Sequence, residues 1–146
     1  MRPYPVVFHP ALDRAIALLV FATAAVCVYV LAQVTPDARG HGTHEQLGML
    51  PCSWPATLNA PCPTCGATTA ACHIVHLSPF QAIATQPFGA AVALAGIAMG
   101  VWGLVAVVSG RNFLGGLARL PYGTIAWASL LLFLGSWGYT YLTFTP

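Results

Sequence analysis

The chain contains no lysine, and its 146 residues include only five arginines and three carboxylates. Charged side chains make up 5% of the sequence, where a soluble domain carries about a quarter. So little charge cannot coat a water-exposed globule, which excludes an ordinary cytosolic enzyme and a disordered chain. Without a basic face the chain is not expected to bind nucleic acid. Asp13, Asp37 and Glu45 are too few and too scattered for paired acid–base work. No phosphate-binding glycine loop, dinucleotide fingerprint or His-Glu-x-x-His run occurs.

Apolar residues are plentiful, at 58% of the chain with a mean hydropathy of +0.75. Three runs, at about 15–34, 88–108 and 124–142, each supply the roughly 20 apolar residues that cross a hydrocarbon layer. They lack strict alternation and are too long for barrel strands, so they are expected as helices. The expected architecture is one all-α membrane domain over 1–146. Three transmembrane helices surround an external loop at 35–86, which carries a short interfacial helix. The first run is longer than the apolar core of a secretory signal and has its small residues mid-run, so it reads as an uncleaved anchor. The spans hold no charge that would mark a transport path.

Arg2 and Arg14 precede the first span, Arg111 and Arg119 separate the second from the third, and only Arg39 lies in the long loop. The positive-inside rule then places the N-terminus in the cytoplasm, with the loop and the C-terminus outside. Tyr122 and Trp127 would sit near the inner face, and Trp137, Tyr139, Tyr141 and Phe144 near the outer. On the second span Gly89, Ala93, Gly96, Gly100 and Gly103 recur on one helix face. Such a face lets another helix approach closely, either within the three-helix unit or from a protein partner.

The loop holds four of the five cysteines (Cys52, Cys62, Cys65 and Cys72) together with His41, His44, His73 and His76. Cys27 lies mid-span and reads as a small apolar filler. Residues 35–61 are punctuated by proline and glycine and are expected to be irregular, with His41 and His44 solvated unless they ligate a metal. Pro63 predicts a helix over 63–77, stopped by Ser78-Pro79. On that helix Cys62, Cys65, Thr69, Cys72 and His76 would share an arc of about 80°. Cys65 and Cys72, about 10.5 Å apart along the axis, could not bridge while the helix persists, because disulfide partners need Cα atoms within about 7 Å. Cys72 and His76, one turn apart, could share an ion.

The run Leu50-Pro51-Cys52, then Cys62-Pro63-Thr64-Cys65-Gly66-Ala67-Thr68-Thr69-Ala70, resembles the uncharacterised bacterial membrane family DUF2752. That family shows an upstream Cys, then Cys-Pro-x-Cys-Gly-x-Thr-Arg-Ala, a short helix, and Asn-Pro before a span. The likeness covers about 48–100. Thr69 stands in place of the family's Arg and Gln86-Pro87 in place of Asn-Pro, while Cys72, His73 and His76 lie outside the pattern. The resemblance implies a protein of the bacterial cytoplasmic membrane with a few spans around a Cys-bearing external segment. It implies no reaction.

Three functions fit these residues. In the first, the chain is a small accessory or anchoring subunit of a larger membrane assembly, its external cap held by a disulfide among Cys52, Cys62 and Cys65. In the second, Cys52, Cys62, Cys65 and Cys72, or His73 or His76 in place of Cys72, bind a metal, with zinc the default. In the third, the only one that makes the chain an enzyme, Cys62 and Cys65 exchange disulfides at a helix N-terminus that lowers the thiol pKa, and Cys52 resolves the product.

Overall fold

The computed structural model describes residues 9–144, which are all-helical with no strand among them. Arg2, one of the orienting arginines, lies outside the described residues. The elements in chain order are α1 (Pro10–Ala32), a 3₁₀ turn (Thr43–Leu47), α2 (Ser53–Leu58), α3 (Ala67–Val75), α4 (Pro79–Thr85), α5 (Pro87–Ser109), α6 (Phe113–Leu117) and α7 (Tyr122–Thr143). Helices α1, α5 and α7 are each long and apolar enough to cross a membrane. The other four, with the 3₁₀ turn, are short connectors.

Helix α1 begins ahead of its apolar run because Pro10 sits in its first turn, where proline's missing N–H costs nothing. That extension brings Asp13 into the helix, and the carboxylate is not left bare. It accepts from Phe113 N at 3.0 Å and Leu114 N at 2.7 Å, while Asn112 Oδ1 accepts from Gly115 N at 2.6 Å. The three leading amides of α6, which have no intrahelical partner, are thereby satisfied. Phe113 is then buried against Ala17 and Ala106, with its ring edge-on to Trp102 at 5.3 Å.

Helix α5 starts on Pro87, with the buried Gln86 side chain accepting from Gly89 N as its cap. Gly110, at φ +66°, ends it in the left-handed conformation that glycine adopts without penalty. The small-residue stripe is spent inside the chain. A Cβ on Gly100 would lie 2.5 Å from Ala24 Cβ, one on Gly103 2.7 Å from the Ala17 carbonyl oxygen, and one on Gly89 2.7 Å from Ala67 Cα. Those three glycines therefore seat α5 on α1 and α3, the packing within the chain that is one of the two uses expected of the stripe. Ala93 packs beside the cap cluster of Ala70, Ile74, Ala82 and Ala90, and Gly96 alone opens onto unoccupied space.

The loop between α1 and α5 forms a cap over one end of this pair. Leu77, Phe80 and Ile83 point outward on and just ahead of α4, as suits a helix lying at a membrane interface. Helix α7 reaches the cap and the first turn of α5 through polar contacts. Ser136 Oγ accepts from Phe88 N at 3.1 Å, Tyr139 donates to Ala84 O at 2.7 Å, and Trp137 Nε1 donates to Pro61 O at 3.4 Å.

Candidate functional site

The Cys-Pro-x-Cys segment forms a turn, and the expected helix over 63–77 starts only at Ala67. Cys65 N donates to Cys62 O at 2.9 Å, Ala67 N to Thr64 O at 3.0 Å, and the α-ladder opens with Ala70 N on Gly66 O at 2.8 Å. Gly66 precedes the helix at φ +83°, and a Cβ there would lie 2.7 Å from Gly40 O. No other residue type meets both the backbone angle and the close approach at low cost. The single stripe expected from Cys62 to His76 is thus split in two.

The lower half of that stripe serves the end of α1. Cys72, fully buried, places its sulfur 3.5 Å from Leu31 O and 3.4 Å from Val34 O. His76 Nε2 lies 2.9 Å from Val34 O, and since a carbonyl only accepts, Nε2 is the protonated nitrogen. The last carbonyls of a helix lack intrahelical donors; Cys72 supplies one at Leu31, and both side chains meet the Val34 carbonyl just past the end of α1. This corrects the expectation that Cys72 and His76 share an ion. Burial raises the Cys72 thiol pKa, which keeps its proton in place for this contact.

The upper half, Cys52, Cys62 and Cys65, lines a cleft of about 560 Å³ together with His41, His44 and Glu45. Cys52 precedes α2 and Cys62 follows it, so the chain on either side of this short helix lines the same cleft. Burial raises the Cys52 thiol pKa, the Trp54 backbone opposes this, and the adjacent Cys62 thiol adds to the rise. Cys65 is pushed up to about 11, first by burial and then by the neighbouring Cys62 and Cys52. The lowered pKa expected for a Cys-x-x-Cys at a helix N-terminus is therefore reversed for Cys65. It lies outside α3, one residue (Gly66) before its start at Ala67, and its surroundings disfavour the thiolate. Cys62 Sγ lies 3.7 Å from Thr64 Oγ1.

All five cysteines are free thiols and no pair stands at disulfide distance, so the staple expected among Cys52, Cys62 and Cys65 is not formed in this structure. Among the described residues no three His, Cys, Asp or Glu side chains converge as a metal would require. The four-cysteine centre, with or without His73 or His76 as a substitute, is not assembled, because Cys72 is turned toward α1.

Polar side chains pair along and behind this cleft. Thr43 and Thr69, both fully buried, pair hydroxyl to hydroxyl at 2.9 Å, and Thr43 Oγ1 also accepts from Asp37 N at 3.0 Å. Arg39 bridges Asp37 at 2.8 Å and Glu45 at 3.2 Å. Its guanidinium holds the Asp37 carboxyl down at about 2. His41 rests beside Phe144 with ring centroids 5.4 Å apart, and burial, aided by Arg39, lowers its imidazole pKa. Its Nε2 and Gln86 Nε2 are buried without a hydrogen-bond partner among the described residues. His73 has its pKa lowered by burial and lines a second cavity, of about 460 Å³, with His41 and Cys65. No signal in the sequence links Thr43 to Thr69 across 26 positions. The charge of Asp13, lying within a helix otherwise built for lipid, is the one clue that could have been followed to α6. Comparisons with protein-family models, curated proteins and solved structures find no match to this chain.

Proposed function

We propose that the protein is a small multi-pass membrane subunit whose cap is a clasp closed by a disulfide between Cys52 and Cys62. The placement of Cys52 and Cys62 on either side of α2, lining one cleft, supports this reading. The bond forms by exchange with a disulfide donor. Two cap thiols lose their protons and two electrons, one disulfide forms, and the donor's disulfide is released as two thiols. Closing a loop of about ten residues would stabilise the cap by ~3 kcal/mol on the chain-entropy model. The Cys65 thiol, held in its protonated form by burial, attacks slowly, which weighs against a turnover cycle through Cys62 and Cys65. The dispersal of Cys72 and His76 to the end of α1 weighs against zinc.

The arginine distribution supports a cap on the outer, oxidising side of a bacterial cytoplasmic membrane, with the N-terminus inside. The outward apolar flank of α7, with Trp127, Leu131 and Tyr141 exposed, leaves room for lipid and for a neighbouring subunit of a larger assembly. We further propose that the chain is a divergent member of DUF2752, since the motif's features have physical work here. Gly66 meets a left-handed turn, and Gln86-Pro87 caps α5 as an Asn-Pro would. Thr69, in place of the family's Arg, is committed to the buried pair with Thr43.

Alkylation of the native membrane protein before and after reductant tests the clasp. Cys52 and Cys62 are expected to resist labelling until reduced, and Cys52→Ser should leave Cys62 open to reagent from the outset. Full labelling of both without reductant would overturn it, and one zinc ion per chain, lost in Cys65→Ser, would favour the metal instead.

A further inference from the structure

A groove of about 790 Å³ runs between α1 and α5 beneath α3. Its walls are almost wholly apolar, from Leu19 to Leu31 on α1 and from Phe88 to Met99 on α5. It is continuous with the lipid-facing surface of these two spans. Its length is informative. Phe88 to Met99 covers about 16 Å and Leu19 to Leu31 about 18 Å at the helical rise. One leaflet contributes about half of a hydrocarbon core roughly 30 Å thick. The groove is therefore as deep as a single leaflet.

Its cap end is crossed by α3, whose Ala67 touches Gly89 and whose Cys72 touches Leu31. A partner's transmembrane helix lying in the groove would run into α3 before leaving the membrane. A hydrocarbon chain can enter from the side and end beneath it. At that crossing, Thr64 and Thr68 line both this groove and the cysteine-lined cleft, so a polar group and an apolar tail can be held together. The nearest cation, Arg39, is already engaged by Asp37 and Glu45.

We propose that this groove holds one hydrocarbon chain of a membrane lipid drawn from the leaflet on the cap side, with the lipid's polar end beside Thr64 and Thr68. Gly96 keeps the groove open. A Cβ at this position meets nothing within 4 Å, so a larger side chain would fill the space without moving the backbone. Cys27 faces it from the opposite wall.

The test uses the full chain in phosphatidylcholine vesicles containing a phosphatidylcholine with a photoactivatable group on one acyl chain. Adducts should concentrate on Thr23, Cys27, Ala93 and Gly96. Gly96→Leu and Cys27→Phe should each lower them severalfold while adducts on the outward face of α7 stay constant. Thermal unfolding of each variant shows that it remains folded, and the two substitutions from opposite walls guard against failure of either one. Adducts spread over α1, α5 and α7 in proportion to exposure, as for surrounding lipid only, would overturn the proposal. So would groove adducts that survive both substitutions, or capture of another protein by a bifunctional maleimide on Cys27 in native membranes.

Discussion

The contact of α5 with α1 and the contact of α7 with the cap solve one problem in opposite ways. Apolar side chains gain nothing by leaving lipid for one another, so helices in a membrane associate by close packing or by hydrogen bonds. Helix α1 uses the first. Gly100 and Gly103 let it approach until one added methyl would meet Ala24 or the Ala17 carbonyl. Helix α7 uses the second, through Ser136, Trp137 and Tyr139. A packed seam fails when atoms are added. A hydrogen-bonded one fails when atoms are removed.

Gly103→Leu gives the sharpest test of this contrast. Its side chain must displace backbone at Ala17, which cannot rotate away, so a loss of about 3 kcal/mol or more is expected in a denaturation titration. Near-native stability of this variant would erase the distinction between the two seams. Asp13→Ala tests the polar junction at the other end of α1. Two amides of α6 lose their acceptor, at about 1–3 kcal/mol each where they stay buried. Asp13→Asn retains one acceptor oxygen and should recover part of that loss.

At the α7 seam, Tyr139→Phe should cost about 1 kcal/mol, the net worth of one hydrogen bond. Hydrogen exchange should quicken in α4 while α1 and α5 keep their protection, and an equal rise in all three helices would count against a separable α7 contact. Acid acts on the cap through His41, His73 and Asp37. His41 and His73 have pKa values lowered below the usual 6.5, so the unfolded cap binds protons that the folded one refuses. Stability therefore falls as the pH drops below about 6.5. The Asp37 contribution, full above its usual 3.8, is lost as the pH falls toward about 2. Fluorescence of Trp54 and Trp137 should report both steps, and the first should vanish in a His41→Phe, His73→Phe double variant. The smallest effect is Gly96→Ala, expected to be neutral or to stabilise by up to about 1 kcal/mol, since the site is open and alanine favours the helix.

Much of the architecture was legible in the residues. The ends of α5 and α7 fall close to the limits of their apolar runs, because a bilayer demands a set length of apolar helix whatever the rest of the chain does. The cap was legible only in outline. The spacing of Cys62, Cys65, Thr69, Cys72 and His76 satisfies a helix, yet Gly66 breaks it. The stripe on α5 is genuine, but periodicity does not say whether the helix it meets belongs to the same chain.

Sequence alone determined that this is a helical membrane protein of three spans, since hydrocarbon leaves unpaired backbone groups no other recourse. Tertiary structure decided where the sulfurs go. Cys72 and His76 are drawn to the open carbonyls at and just beyond the end of α1, which lie 38 to 42 positions away in the chain. Cys52, Cys62 and Cys65 gather at a cleft because Gly66 and α2 turn the backbone there. Both outcomes depend on which distant backbone groups need a partner, and a linear pattern does not record that need.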